Sequence, residues 1–104
     1  MNRSTKTRYA IFQILIEVLK KNRNFETVFH NITDKFDFDK REIAFINNVC
    51  LTSMRKNIHC KIILAKFIKS KLKTSEFVLL LSAITQIIYL DIKPYGVVND
   101  TVNV

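Results

Sequence analysis

The sequence has a single glycine, Gly96, a single proline, Pro94, and no tryptophan in 104 residues. Hairpins and tight turns draw on Gly, Pro, Asn and Asp for backbone conformations that other residues resist. A sheet-rich fold built from this chain would lack its corners, so long helices joined by short polar links are the expected architecture. The lone glycine also excludes a glycine-rich phosphate loop. A nucleotide pocket of the strand-loop-helix kind needs parallel strands, and no run reads as one. Cysteine is equally sparse. Cys50 and Cys60 stand ten residues apart, with neither a disulfide framework nor a zinc spacing around them. They are expected as buried thiols in a reducing cytoplasm.

Long hydrophobic runs are missing too. The longest uncharged apolar stretch, Phe77 to Leu90, is interrupted by Ser82, Thr85 and Gln86. A bilayer needs about 20 apolar residues, so this stretch reads as a buried core helix and no membrane partner is expected. The basic segment Met1 to Arg8 is followed by no small-residue cleavage site, so no signal peptide is read. His30 and His59 are isolated from any patterned Cys, Asp or Glu and read as surface or core-edge histidines. No Ser-His-Asp grouping is recognisable. The chain itself is expected to hold no catalytic residue, metal site or cofactor.

What is there is apolar and helical. Apolar residues make up 48% of the chain, enough for one domain over residues 1–104 with one hydrophobic core. A first helix is expected from Thr5 to about Arg23, capped by Ser4 or Thr5, with Tyr9, Phe12, Ile16 and Leu19 at helical spacing. Asn24 is a cap for a short second helix whose apolar face is Phe25, Val28, Phe29 and Ile32. In the link that follows, Phe36 and Phe38 alternate with charges and are expected to tuck against the core. Asp39 and Glu42 have capping-box spacing before a third helix. In that helix Ile43, Ile46, Cys50, Ser53 or Met54, and then Ile58 keep the helical period. Without Gly or Pro from Lys40 to Lys73, the pattern allows one helix to about Ile68 or a break near Asn57. A fourth helix begins after Thr74. It is apolar nearly all round, which places it at the centre of a bundle. Pro94 suits the first turn of a last helix, which is expected to be cut short at Val104.

The charge is lopsided. Lys plus Arg outnumber Asp plus Glu by 17 to 9, for a net charge of +8 and a pI near 9.7. Such a balance favours polyanionic partners, RNA or DNA first. The chain is also rich in Ile and Asn, as AT-rich genes dictate, and those genes favour Lys whatever the protein binds. Placement therefore says more than the total. Between Ile43 and Ser75 there is no acidic residue, while Arg55, Lys56, Lys61, Lys66, Lys69, Lys71 and Lys73 fall there. A second cluster is Arg3, Lys6 and Arg8. Either cluster can track phosphates by displacing counterions, and either can be an ordinary solvated face.

Several stretches resemble the NusB-like fold family. The stretch Leu79-Leu80-Leu81-Ser82-Ala83-Ile84-Thr85-Gln86-Ile87-Ile88-Tyr89-Leu90, continued by Ile92-Lys93-Pro94-Tyr95-Gly96-Val97-Val98-Asn99-Asp100-Thr101-Val102, is similar to the family's apolar helix with its Gln-apolar-apolar-Tyr-Leu ending. In the family a proline follows, then an apolar pair, Asn and an acid. Asp39-Lys40-Arg41 through Met54-Arg55, and Thr7-Arg8-Tyr9-Ala10 through Leu15, resemble two earlier parts of the same domain. The resemblance implies an all-α NusB-like helical bundle that binds RNA.

Two branches of the family are relevant. One is the N-terminal domain of the bacterial rRNA cytosine-5 methyltransferase, a SAM-dependent enzyme. Met54-Arg55, Asn24-Phe25-Glu26-Thr27-Val28-Phe29 and the Tyr-Leu before Pro94 resemble this branch more closely. The resemblance then implies a domain that holds small-subunit rRNA, with the catalytic cysteines and the SAM site in a downstream domain outside this chain. The other branch is a free-standing transcription antitermination factor, which binds RNA together with a ribosomal protein. A helical protein-interaction module without RNA binding is the third reading. Thr52 stands where the family usually has glycine, so local packing is expected to differ there. The expected RNA contacts are Arg3, Lys6, Arg8 and Arg55, then Lys66, Lys69, Lys71 and Lys73. Gln86, Pro94 and Asn99 are read as structural. Gln86 is expected to bond a neighbouring helix, and Asn99 backbone groups near the start of the last helix. A shortened last helix would leave apolar surface bare and favour self-association.

Overall fold

The computed structural model describes residues 3–67, 73–90, 92 and 94–102, and the described residues form helices with no strand. The helices are α1 (Arg3–Leu15), α2 (Phe25–Lys35), α3 (Lys40–Arg55), α4 (Asn57–Phe67), α5 (Thr74–Ile84) and α6 (Pro94–Val102). Helices α1 and α5 each continue into a wide turn of π geometry, Ile16–Lys20 and Thr85–Tyr89. This is the all-α bundle expected from the scarcity of turn residues.

The helix α1 is the axis. Ala10, Ile11, Ile14 and Leu15 are fully buried, and α1 packs against α2, α3, α5 and α6. Burying a side chain such as Ile or Leu contributes about 1.5–3 kcal/mol, so this stripe is the main source of cohesion. The apolar pattern of α5 points to that helix as the centre, and in the structure it shares the place with α1, packing against α1, α3, α4 and α6. In α5 and its wide turn Val78 and Leu81 are buried, but so are the polar Ser82, Thr85 and Gln86, while Ile88 is exposed. One face turns a polar stripe inward and leaves apolar residues outside. The start of α1 also differs from expectation. Ser4 and Thr5, expected as caps, lie inside the first turn, and Thr7 Oγ1 donates back to the Arg3 carbonyl at 2.8 Å.

The two wide turns end their helices in the same way. After α1 the Lys21 N–H reaches the Ile16 carbonyl and the Arg23 N–H the Glu17 carbonyl. After α5 the Leu90 N–H reaches Thr85 and the Ile92 N–H reaches Gln86. These longer bonds satisfy carbonyls that a helix terminus otherwise leaves without partners. Asn22 completes the first terminus with φ of 55°, a left-handed conformation that Asn tolerates better than most residues.

The local signals at α2 and α3 hold in the structure. The Asn24 side chain accepts the Thr27 N–H at 3.1 Å. Asp39 Oδ1 accepts the Glu42 N–H at 2.8 Å, and Glu42 Oε1 accepts the Asp39 N–H at 2.9 Å, a complete capping box. Phe36 and Phe38 tuck against the core, tilted on each other at 5.2 Å, with Tyr9 edge-on to Phe36. In the middle of the chain, where the pattern allows one helix or two, the break is observed. Lys56 leaves helical geometry (φ −98°, ψ 9°) and α4 starts at Asn57. The break resets the helical phase, so Ile58 does not extend the α3 stripe and is 73% exposed. Cys60 is the one buried side chain among those described in α4. The helix is held by Tyr89 Oη bonded to His59 Nδ1 at 2.7 Å, by Lys56 over the Tyr89 ring and by Lys61 over the Phe77 ring.

Candidate nucleic-acid interface

The start of α1 and the start of α3 meet at one corner of the bundle. Residues one turn apart on each helix, Ser4 and Arg8 on α1 and Arg41 and Phe45 on α3, line a cleft of about 380 Å³ together with Arg3 and Thr7. Arg8 Nη1 donates to Ser4 Oγ at 3.0 Å, and its guanidinium lies 5.4 Å from the centre of the Phe45 ring. Arg3 is held differently. It donates to both carboxylate oxygens of Glu42, and its guanidinium lies 3.9 Å from Asp39. This pairing raises the Arg3 pKa further above its ordinary value, first through the hydrogen bond to Glu42.

A second, smaller depression of about 170 Å³ shares Arg3 and Glu42 with the first and adds Lys6, Lys35, Phe36, Asp37 and Phe38. The two depressions form one basic surface set with half-buried aromatic rings. Of the residues expected to contact RNA, the fold thus brings Arg3, Lys6 and Arg8 together. It also adds Arg41, which stood in the sequence only as part of the Asp39-Lys40-Arg41 motif. Arg41 and Lys6 are exposed and make no ion pair among the described residues. A cation without a partner carboxylate keeps its charge available for a phosphate.

The other expected contacts lie elsewhere. Arg55 is exposed as the last residue of α3. Lys73 is exposed just before α5, and its backbone N–H donates to Glu76 Oε1 at 3.0 Å. Lys66 is in α4, but its side chain lies outside the described residues, as do Lys69 and Lys71 entirely. The described residues hold no group of three metal-ligating side chains.

The model of the NusB family matches residues 5–104. The chain belongs to the NusB family. No curated protein and no solved structure gives a significant match to it. In this NusB-family chain the motif residues read as structural take distinct places. Pro94 is the first residue of α6. Asn99 lies exposed on α6. Gln86 is fully buried but bonds within its own helix, where Nε2 donates to the Ser82 carbonyl and hydroxyl at 3.2 and 3.1 Å. The expected bond to a neighbouring helix is made one residue earlier, where the Ser53 hydroxyl of α3 donates to Thr85 Oγ1 at 3.0 Å. Thr52, at the position usual for glycine, is buried on α3. Both cysteines are free and buried, and burial pushes both thiols up. A thiol kept protonated in this way is a poor nucleophile. No helix among the described residues is long and apolar enough to cross a membrane.

Proposed function

We propose that this NusB-family chain is an RNA-binding domain whose contact surface is the basic corner between α1 and α3. The observation that carries the reading is the gathering of Arg8 and Arg41, distant in sequence, around Phe45 in one cleft beside Arg3 and Lys6. Arginine and lysine supply phosphate contacts, and the half-buried aromatic rings among them suit stacking with an unstacked base. Phosphate contacts position an RNA without reading its sequence, which suits a domain that holds a structured substrate.

The finer reading makes the chain the N-terminal domain of a SAM-dependent rRNA cytosine-5 methyltransferase, positioning small-subunit rRNA for a downstream catalytic domain. It is supported by the likeness of Met54-Arg55 and of Asn24 to Phe29 to that branch. The SAM site and the catalytic cysteines belong to the downstream domain in this reading.

The test is a titration of a labelled small-subunit rRNA fragment with the chain at several salt concentrations. Arg41→Glu and Lys6→Glu are expected to weaken binding and to flatten the salt slope by about 0.7 to 0.9 for each phosphate no longer neutralised. Unchanged affinity and slope in both variants would remove the corner as the RNA site.

A further inference from the structure

Beyond the basic corner, the molecule has a groove between α1 and α2 of about 390 Å³. Two features join it to the corner. Lys35, exposed at the end of α2, lines both the groove and the smaller depression of the corner. On α1 and its wide turn, Lys6, Tyr9, Gln13, Ile16 and Lys20 recur every three or four residues and so share one side. Lys6 lines the depression, Tyr9 stands edge-on to Phe36 of the same depression, and Gln13, Ile16 and Lys20 line the groove. Gln13 Nε2 donates to Tyr9 Oη at 2.7 Å, which ties the two halves of the stripe.

Val28 and Ile32 in the groove floor are buried in the core, which leaves a partner helix no apolar ridge to grip. What stays accessible is the half-buried Phe12 ring, the amides of Gln13 and Asn31, and the ammonium groups of Lys20 and Lys35. These group types suit single-stranded nucleic acid: a ring for a base face, amides for a base edge and cations for phosphates. Each carboxylate on the path lies beside a cation. Glu42 and Asp37 act on Arg3, and Glu17 pairs with Lys21 at 3.0 Å and Arg23 at 3.1 Å.

We propose that a single RNA strand bound at the corner continues over Lys35 into this groove, where Lys20 takes a phosphate and Phe12 stacks on a base. The extension rests on RNA binding at the corner and lengthens its footprint. From Ser4 to Lys20 the helix rises about 24 Å, at about 1.5 Å per residue. A stacked strand advancing about 3.4 Å per nucleotide needs roughly seven nucleotides for that distance. A tetranucleotide at the corner therefore stops short of Lys20, and a decanucleotide reaches it. An acidic peptide would meet the same lysines but would make no use of the Phe12 ring or of the continuity with the corner.

The probes are single-stranded oligouridylates of about 4 and about 10 nucleotides, within the site sizes usual for single-strand binders. Each is titrated into the isotope-labelled full chain and followed residue by residue by NMR. Both are expected to move the amides of Arg3 to Arg8 and of Arg41 to Phe45. Only the longer is expected to move those of Phe12 to Lys20 and of Asn31. Lys20→Glu, exposed and remote from the corner, is expected to weaken the longer RNA about threefold or more and to flatten its salt slope by about 0.7, leaving the shorter unchanged. Phe12→Leu keeps an apolar side chain, removes the ring and is expected to weaken the longer RNA about fivefold. Two results overturn the extension while the corner stands: a Lys20→Glu chain that binds the longer RNA as the parent does, or groove shifts produced as strongly by an oligoglutamate of the same length. If Arg41→Glu and Lys6→Glu leave the binding of both RNAs unaffected, the corner reading falls and the extension with it.

Discussion

The Arg3 guanidinium grips both oxygens of the Glu42 carboxylate across 39 residues of sequence, with Nε to Oε2 at 3.1 Å. Glu42 Oε1 also accepts the Asp39 backbone N–H, so one carboxylate ties the start of α1 to the cap of α3. The pair divides the basic corner into a cation that is engaged, Arg3, and cations that are not, Arg41 and Lys6. Glu42→Gln keeps an oxygen to accept the Asp39 N–H and removes the negative charge from the cleft. Its RNA affinity is expected to rise, most at low salt where charges are least screened. Arg3→Ala is expected to weaken RNA binding less than Arg41→Ala does. A titration in which Glu42→Gln binds more weakly than the parent would contradict this division.

The left-handed backbone at Asn22 sets the end of the first wide turn. A β-branched residue meets its own carbonyl in that conformation, at a cost of about 1–2 kcal/mol. Asn22→Val is therefore expected to lower the unfolding free energy by about that amount, and Asn22→Gly to stay within about 0.5 kcal/mol of the parent. Urea denaturation of the three proteins measures both. Equal stability of the Val and Gly variants would mean that the turn adapts.

Ser53 and Thr85 are both fully buried, and their hydroxyls bond each other across the seam between α3 and the turn that ends α5. Thr85→Val leaves the Ser53 hydroxyl without this acceptor in the core, at a cost of about 1–3 kcal/mol. Adding Ser53→Ala removes the stranded hydroxyl, so the double variant is expected to cost less than the two single substitutions summed. Additive effects in a denaturation cycle would show that the bond does not couple the two helices.

Glu17 supplies a pH dependence. The hydrogen bond from Lys21, and then the charges of Lys21 and Arg23, hold its carboxyl below the ordinary value of 4.5 against the effect of burial. A group whose folded pKa is lowered adds stability above its unfolded pKa, and that stability fades as pH falls through the folded one. The Tm difference between the parent and Glu17→Gln is therefore expected to be level above about pH 5 and to shrink below about pH 4. A difference that grows on acidification would reverse the assignment.

Features set by near neighbours in the chain are legible without the fold. The Asn24 cap, the Asp39 and Glu42 box and the helical start at Pro94 depend on bonds or steric limits within a few residues, so residue type and spacing suffice. The break at Lys56 is only one of two continuations the sequence allows, because no Gly or Pro marks it and packing alone decides it. The burial of α5 departs from expectation for a related reason. Ser82, Thr85 and Gln86 share one helical face, and that spacing is the available sign of a buried polar stripe, in which Thr85 meets Ser53 of α3. At the site, Arg3, Lys6 and Arg8 are near neighbours, so their grouping is visible in the chain. Arg41 reaches them only through the packing of α1 on α3, and the Arg3 to Glu42 contact spans 39 residues, so no local pattern announces either.

The break at Lys56, which sets α4 apart from α3, turns the two cysteines into reporters of different events. Cys60 is the one buried side chain among those described in α4, where Ile58 and Ile62 are exposed. Cys50 sits in the main core on α3. Regions with few buried contacts open at free energies well below that of global unfolding. A thiol reagent added to the native chain should label Cys60 through the lifting of α4 alone and Cys50 only when the whole bundle comes apart. Two labelling rates, read from one sample, would then separate a partial excursion from complete unfolding. Equal rates would mean that α4 and the core open as one unit.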